Sequence, residues 1–376
     1  MDFFKFTPGA DPSFLENAVT INGIRTATWT ERYKDPGEFK LQAPVSSQLR
    51  TLLPLGSMIS HLDTYEVMIV ENHEIDEDVE EGEPNIIVSG RSLDSWFEQR
   101  IVGSGTESMG GPYDHLDDYF IPFGTSLEQA TALINSYIYE MPGGGSLADA
   151  YDLVPGFRAI ENEQHSVSYT TETRIIPREP LPDSLRKILD IDDFGVKVVR
   201  PNAGNVDPTL TEFRVHNGVD RTTTVVFAHA SGDLKRARYL WSNKQKKTMY
   251  YVLSTYNQVR YSPGFEIGYD RRMLFVDASD LDSQYTTYPT GTDRDAVIAA
   301  MHIRGADALR AQKDVAITST DISATTRYKF RRDYDVGDLV TVDGNYDTSS
   351  VMRVIEYVEF QDENGESGYP TLSVLA

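Results

Sequence analysis

The residue types that could carry chemistry are seven histidines, a large excess of carboxylates and no cysteine. His61, His73, His115, His165, His216, His229 and His302 fall at no spacing that places two imidazoles on one helix face. His73-Glu74 lacks the second histidine that a zinc-binding H-E-x-x-H helix requires, so these side chains read as surface or core imidazoles. Gly143-Gly144-Gly145-Ser146 has the glycines of a phosphate cradle but neither a following lysine nor a close preceding strand, and reads as a linker. Two carboxylate groups, Asp190 with Asp192 and Asp193, and Asp277 with Asp280 and Asp282, offer oxygen donors suited to a hard cation. Both lack the central glycine and terminal glutamate of an EF-hand loop, and read as helix-end and turn acids. No G-x-S-x-G elbow is present, and among 58 acidic residues no glycosidase pair stands out. Disulfides, thiolate metal sites and a cysteine nucleophile are excluded. The expectation is a non-enzyme with no cofactor, no metal and no catalytic residue.

Charge is distributed more informatively. Between Glu71 and Glu83 stand eight carboxylates and no lysine or arginine, most of them in one turn: Asp76, Glu77, Asp78, Glu80, Glu81 and Glu83. Between Leu234 and Phe265 stand Lys235, Arg236, Arg238, Lys244, Lys246, Lys247 and Arg260 with no acid, interleaved with Tyr239, Trp241, Tyr250, Tyr251 and Tyr256. Bases mixed with aromatics suit single-stranded nucleic acid, an ordinary solvated ribbon, or a subunit contact in which this ribbon meets an acidic neighbour. The contact is the preferred reading, with the acidic turn and Lys235–Lys247 as its candidate residues. A formal charge of −23 opposes net attraction to nucleic acid or anionic membrane.

The elements that must hold these residues are mostly strands. Pro54–Gly90 reads as a meander: a strand from Met58, an Asp63-Thr64 turn, a long strand, the acidic turn and a third strand. Period two places Val67, Ile69, Glu71 and His73 on one face and Met68, Val70, Asn72 and Glu74 on the other. The pattern returns after Asp335. Gly337 answers to Gly56, Val351-Met352 to Val67-Met68, Glu356 to Glu71, Glu359 to Glu74, and Gly365-Glu366 to Gly82-Glu83. The two halves read as versions of one β-domain, by duplication or because such meanders arise independently. Ahead of the first meander, Asn22-Gly23 predicts a hairpin between Val19–Ile21 and Ile24–Thr26, and Asp35-Pro36-Gly37 a second one. Six or so antiparallel strands then suggest closure into a sandwich or barrel.

Glycine-rich connectors after Val102 and at Gly143–Gly145 bracket an expected α/β insert over residues 103–200. Within it Ser126 caps a helix with Gln129 in a capping box and Ala130, Leu133, Ile134, Tyr137 and Ile138 on one stripe. A strand pair over Val167–Ile176 and a helix over Asp183–Ile191 follow. Thr292 caps the longest helix, Asp293 to about Lys313, with Ala296, Val297, Ala300 and Met301 inward and Gly305 a weak point. At 376 residues the chain fits two or three domains. These are 1–102 as a first β-domain, to which strands from about 205–230 could be added, the 103–200 insert, and 201–376 as a second β-domain with a helical insert at about 270–315. No apolar run reaches membrane-spanning length and no secretory signal is visible.

Four stretches together resemble a known family: WTERYKDPGEFKLQAP at Trp29–Pro44, LLPLGSMISHLDTYEVMIVENHEI at Leu52–Ile75 with VSGRSL at Val88–Leu93, GYDRRMLFVDASDLD at Gly268–Asp282, and DYDVGDLVTV near the end. They resemble the siphophage tail-hub or baseplate-hub family, similar to the N-terminal hub part of tail-associated lysins and to contractile-tail baseplate hubs. The resemblance implies a mainly β chain with two tail-tube-like antiparallel β-barrel domains, and a homotrimer forming a pseudo-hexameric ring. It also implies a structural virion protein at the tail tip, made in the host cytoplasm. Its neighbours would be the distal tail protein, the tail tube or tape-measure protein, and the tip or receptor-binding proteins, around a lumen through which DNA passes unbound. Lysin-type hubs carry a hydrolase domain beyond the second meander, and its absence here agrees with the non-enzyme expectation. The alternatives are a wall-degrading hydrolase of the tail tip and a receptor- or carbohydrate-binding tail module.

Overall fold

A computed structural model describes residues 1–6, 19–45, 48–77, 84–102, 123–137, 157–160, 172–173, 179–200, 211–242, 244–264, 267–282, 288–310, 312, 315–323, 327–344 and 349–374. In chain order, β1 (Phe3–Phe6), β2 (Val19–Thr20), β3 (Thr26–Arg32), β4 (Glu38–Pro44), helix α1 (Leu49–Leu52), β5 (Met58–His61), β6 (Met68–Asp76) and β7 (Asn85–Ser92) make the first half. The middle carries β8 (Phe123–Gly124), α2 (Ser126–Tyr137), β9 (Phe157–Ile160), β10 (Glu172–Thr173), α3 (Leu181–Leu189), β11 (Gly195–Val199) and β12 (Thr211–His216). Then come β13 (Val226–Ala228), β14 (Leu234–Ser242), β15 (Met249–Leu253), β16 (Gln258–Tyr261), β17 (Met273–Asp277) and α4 (Gly291–Arg310). Finally β18 (Val315–Ile322), β19 (Leu339–Asp343), β20 (Ser349–Asp362) and β21 (Gly365–Val374) close the chain.

The chain is mainly β, and its largest sheet is mixed. Its strands run β13-β19-β20-β3-β4-β7-β6-β5-β1-β2, with β21 on the far edge of β20, and β13 joins β19 in parallel. The path is open at both ends, so among the described residues the expected closed barrels are not formed. The reason lies in β20. It is 14 residues long; its first part pairs with β19, its second part with β3 from the other half of the chain, and β21 follows its opposite edge. One strand thus serves both halves, and the edges that would have to meet to close a barrel are used to join them.

The two meanders, β5-β6-β7 and β19-β20-β21, share a register. Met58 faces Ile69 and Ile59 faces Met68; Leu339 faces Arg353 and Val340 faces Met352 in the same places. The Gly56 amide donates to the Val70 carbonyl at 2.8 Å and the Val70 amide to that of Ser57 at 2.9 Å. The Gly337 amide donates to Val354 at 2.8 Å and the Val354 amide to Asp338 at 2.9 Å. Both glycines have positive φ, 82° and 97°, where a side chain is strained. Each long strand then bulges directly after the residue so clamped, between Val70 and Asn72 in one and between Val354 and Glu356 in the other. Because both strands bulge at the same place, the spacing that matches Met352 to Met68 runs on unbroken: Glu356 corresponds to Asn72 and Glu359 to Ile75, not to Glu71 and Glu74.

Each meander covers a core. Trp29, Phe39, Leu41, Ile59, Met68, Val70 and Val88 pack under the first, and Phe227, Val340, Val342, Met352, Val354 and Leu372 under the second. Burying such a side chain stabilises the fold by roughly 1.5–3 kcal/mol. Val67, on the face of β6 opposite Met68, packs instead with Leu133, Leu185 and Phe213 of the middle segment. This is why β6 opens with apolar residues on both faces.

Several local expectations change. The Asn22-Gly23 hairpin does not form, because β2 pairs with β1 and β3 is held between β4 and β20; Gly23 keeps a positive φ of 82° in the connector. The Asp35–Gly37 hairpin does form, as β3-β4. Helix α2 is capped one residue before Ser126: the Thr125 hydroxyl accepts from the Glu128 amide at 3.2 Å, and the Glu128 carboxylate from the Thr125 amide at 2.7 Å. Ala130, Leu133 and Ile134 are buried as expected, and Ile138 lies outside the described residues, as does most of the Val167–Ile176 strand pair. Helix α4 begins at Gly291, with Val297, Ala300 and Met301 inward and Ala296 exposed. At Gly305 an added Cβ would sit 2.5 Å from the Tyr250 ring, so this glycine is where α4 approaches β15 rather than a flaw. Of strands near 205–230, β12 pairs with β11 and β9 and β13 with β19.

Candidate assembly surfaces

Inside the chain, the place where the two halves meet shows how one such unit docks on the next. The outer part of β20, Glu356–Gln361, lies antiparallel to Arg32–Ala27 of β3. Charge reinforces the ladder: Arg32 Nε donates to Glu356 Oε2 at 2.7 Å. Arg331 grips Glu359 of β20 with two bonds of 2.7 and 3.1 Å, and donates to Glu31 of β3 at 2.7 Å. Glu31 also accepts from the Thr64 hydroxyl at 2.6 Å and the Trp29 indole at 3.2 Å. Burial works to raise the Glu31 carboxyl, but the Arg331 guanidinium and the Thr64 hydrogen bond outweigh it and hold it at about 2. At nearby Glu66 burial, with repulsion from Glu31 and Asp94, pushes the carboxyl well above the usual carboxylate range, and attraction to Lys197 and Arg331 does not offset it.

Tyr33, just past β3, completes the joint. Its amide donates to the Ile355 carbonyl at the β20 bulge at 2.9 Å, its hydroxyl donates to the Asp193 carbonyl at 2.6 Å, and its ring stands edge-on to His216 under the Arg353 guanidinium. Sequence reasoning passed over Tyr33, Arg331 and Arg353. The positive φ of Arg331, 61°, leaves no mark in composition, and the Arg331–Glu31 and Arg32–Glu356 pairs span about three hundred residues of chain.

The residues singled out for subunit contact are on the surface, in two places. Lys235, Arg236 and Arg238 are exposed on β14, which pairs with β18 along one edge. Lys244, exposed, and Lys246 and Lys247, half-buried, belong to the link into β15, so the basic ribbon is two separate features. Asp76 ends β6 and Glu77 follows it, both exposed; Asp78, Glu80, Glu81 and Glu83 lie outside the described residues. Among the described residues, β14 with Lys235, Arg236 and Arg238 and β6 with Asp76 belong to different sheets.

The carboxylates considered for a cation are used otherwise. Asp190 and Asp193 take Lys34 at 2.6 and 2.8 Å, Asp192 accepts from Ser126, and Asp280 pairs with Arg304. Buried Asp282 ties the β15–β16 turn through the Ser254 hydroxyl at 2.5 Å and the Thr255 and Tyr256 amides at 2.9 and 3.0 Å. Among the described residues no group of histidines and acids is arranged to hold a metal, and no helix is long and apolar enough to cross a membrane.

Comparison with known proteins follows the same lines. A family model described as Siphovirus ReqiPepy6 Gp37-like protein matches residues 11–371. Among solved structures, the prophage tail protein gp18 from Listeria monocytogenes EGD-e is similar with a TM-score of 0.52 at 11% identity, covering 100% of this chain and 96% of that one. The tail protein from Neisseria meningitidis MC58 is similar with a TM-score of 0.50 at 10% identity, covering 99% and 96%. At these identities the likeness is one of fold. No curated protein matches the chain.

Proposed function

The chain belongs to the Siphovirus ReqiPepy6 Gp37-like protein family, and from that premise we propose that it is a structural hub of the phage tail tip, joining a hexameric tube and distal tail protein to a trimeric tip. The observation that carries this reading is the pair of meanders with one register, one glycine clamp and one bulge position. Two similar units per subunit let three chains present six to a sixfold neighbour. The acidic balance supports it too: with a formal charge of −23 per chain, a lumen of the same sign would repel phosphate and let DNA pass without being held. Catalysis and cofactors have no part in this function.

A receptor- or carbohydrate-binding role has one observation in its favour, the exposed Tyr261, Tyr269, Met273 and Phe275 on and around the β16-β15-β17 sheet. The test is the mass of the purified 42.2 kDa chain by light scattering at low and high salt, with labelled copies located in assembled tails. A trimer, and label between tube and tip, is the expected result. A monomer that binds glycans and lies at the distal end would favour the receptor module, and turnover of cell-wall polymer would favour a hydrolase.

A further inference from the structure

The joint inside the chain is a template for a second one that a single chain leaves unmade. β3 is the first strand of the hairpin that precedes the first meander; it takes β4 on one edge and the outer part of β20 on the other. Its counterpart in the second half is β14, which pairs antiparallel with β18 ahead of the second meander, the two strands being joined through β15, β16, β17 and α4. β18 packs beside β21 as β4 lies beside β7. Among the described residues, the other edge of β14 pairs with no strand. The counterpart of the outer part of β20 is the outer part of β6, Asn72–Asp76. It has β7 along one edge, while β5 stops at Ile69 on the other.

We propose that Asn72–Asp76 of β6 pairs edge to edge with β14 of a second copy of this chain, repeating between subunits the β20–β3 joint made within one. This rests on the trimeric reading above and gives its interface. An open strand edge is a standing invitation to another strand, and charge selects the partner. Asn72, Glu74 and Asp76 are exposed along one face of β6, and Arg236 and Arg238 are exposed on one face of β14. The internal joint already sets a glutamate of the meander strand on an arginine of the hairpin strand, Glu356 on Arg32. The contact is head-to-tail, so in the trimer it repeats around a closed ring and leaves neither the β6 nor the β14 edge unmade.

The chain has no cysteine, so an introduced pair reports without background. The full chain carrying Glu74→Cys and Arg238→Cys is expected to give disulfide-linked dimers and trimers on oxidation, while each single variant stays uncrosslinked. Separately, Arg236→Glu with Arg238→Glu is expected to raise the concentration of half-assembly by about tenfold or more without moving the melting temperature. Adding Glu74→Arg and Asp76→Arg to the same chain is expected to restore it. Trimers by light scattering with neither crosslink nor rescue would overturn the pairing and leave the trimer standing. Dimers from either single variant would show a like-edge contact and overturn it as well. A monomer at every concentration would overturn the trimer and the pairing together.

Discussion

Asp94 shows at the scale of one residue how this fold spends its acidity. The carboxyl is 6% exposed and accepts from the Ser92 hydroxyl, which itself accepts from the Gly37 amide at 2.7 Å. Burial, only partly offset by the Ser92 hydrogen bond, pushes the carboxyl up to about 6 from 3.8. The folded state therefore keeps this proton to a higher pH than the unfolded chain does. Stability from this group is fully present below 3.8 and is lost as pH rises to about 6. Asp94→Asn is expected to remove a loss of about 2–3 kcal/mol across that window, read as the difference in urea midpoint between pH 4 and pH 6.5. An equal pH slope in both proteins would refute the assignment. Glu31 works in the opposite sense: held at about 2 from 4.5, its contribution is present above 4.5 and lost as pH falls to about 2. Comparing the variant with the unaltered chain at each pH separates the two. None of this was legible in the sequence, where Asp94 is one acid among 58; what distinguishes it is burial, a property of packing.

At the scale of elements, the meander is the unit, and its two copies test one another. Gly56 and Gly337 occupy the same position with φ of 82° and 97°, yet their surroundings differ. A Cβ on Gly56 meets nothing within 4 Å, whereas one on Gly337 would come within 2.9 Å of the Tyr33 ring and 3.1 Å of His216. Gly56→Ala is therefore expected to cost about 1 kcal/mol from backbone strain alone. Gly337→Ala adds overpacking to that strain, for a total of about 2–4 kcal/mol. Denaturant midpoints check both, and equal losses would show that Tyr33 does not press on the second glycine. The correspondence of the glycines was readable in the sequence because a clamp that needs positive φ selects glycine twice. The one-place error at Glu71 and Glu74 came from allowing slippage where there is none: both strands bulge at the same position, so the spacing between Val67-Met68 and Val351-Met352 holds through Asn72 and Glu356.

Across the whole molecule, β20 and the Arg331 ion pairs decide that the halves are not independent. Calorimetry is expected to show both β cores melting in one transition, and Arg331→Leu, which strips Glu31 and Glu359 of their shared cation, to separate them. Two resolved transitions in the unaltered chain would refute the coupling. By itself the sequence determined the mainly β character, the two meanders, the Asp35–Gly37 hairpin and helices α3 and α4. Each of these is written in nearest-neighbour terms, as side-chain alternation, turn residues and helical periodicity. Family membership was legible as well, through short stretches whose order survives. Only the tertiary structure decided that β3 lies against β20 instead of folding back on β2, that among the described residues the large sheet stays open, and that basic β14 and acidic β6 belong to different sheets. Strand edges are chemically alike, every one a row of amides and carbonyls. Which two meet depends on the cores and charges that bring them together, and those contacts join residues hundreds of positions apart.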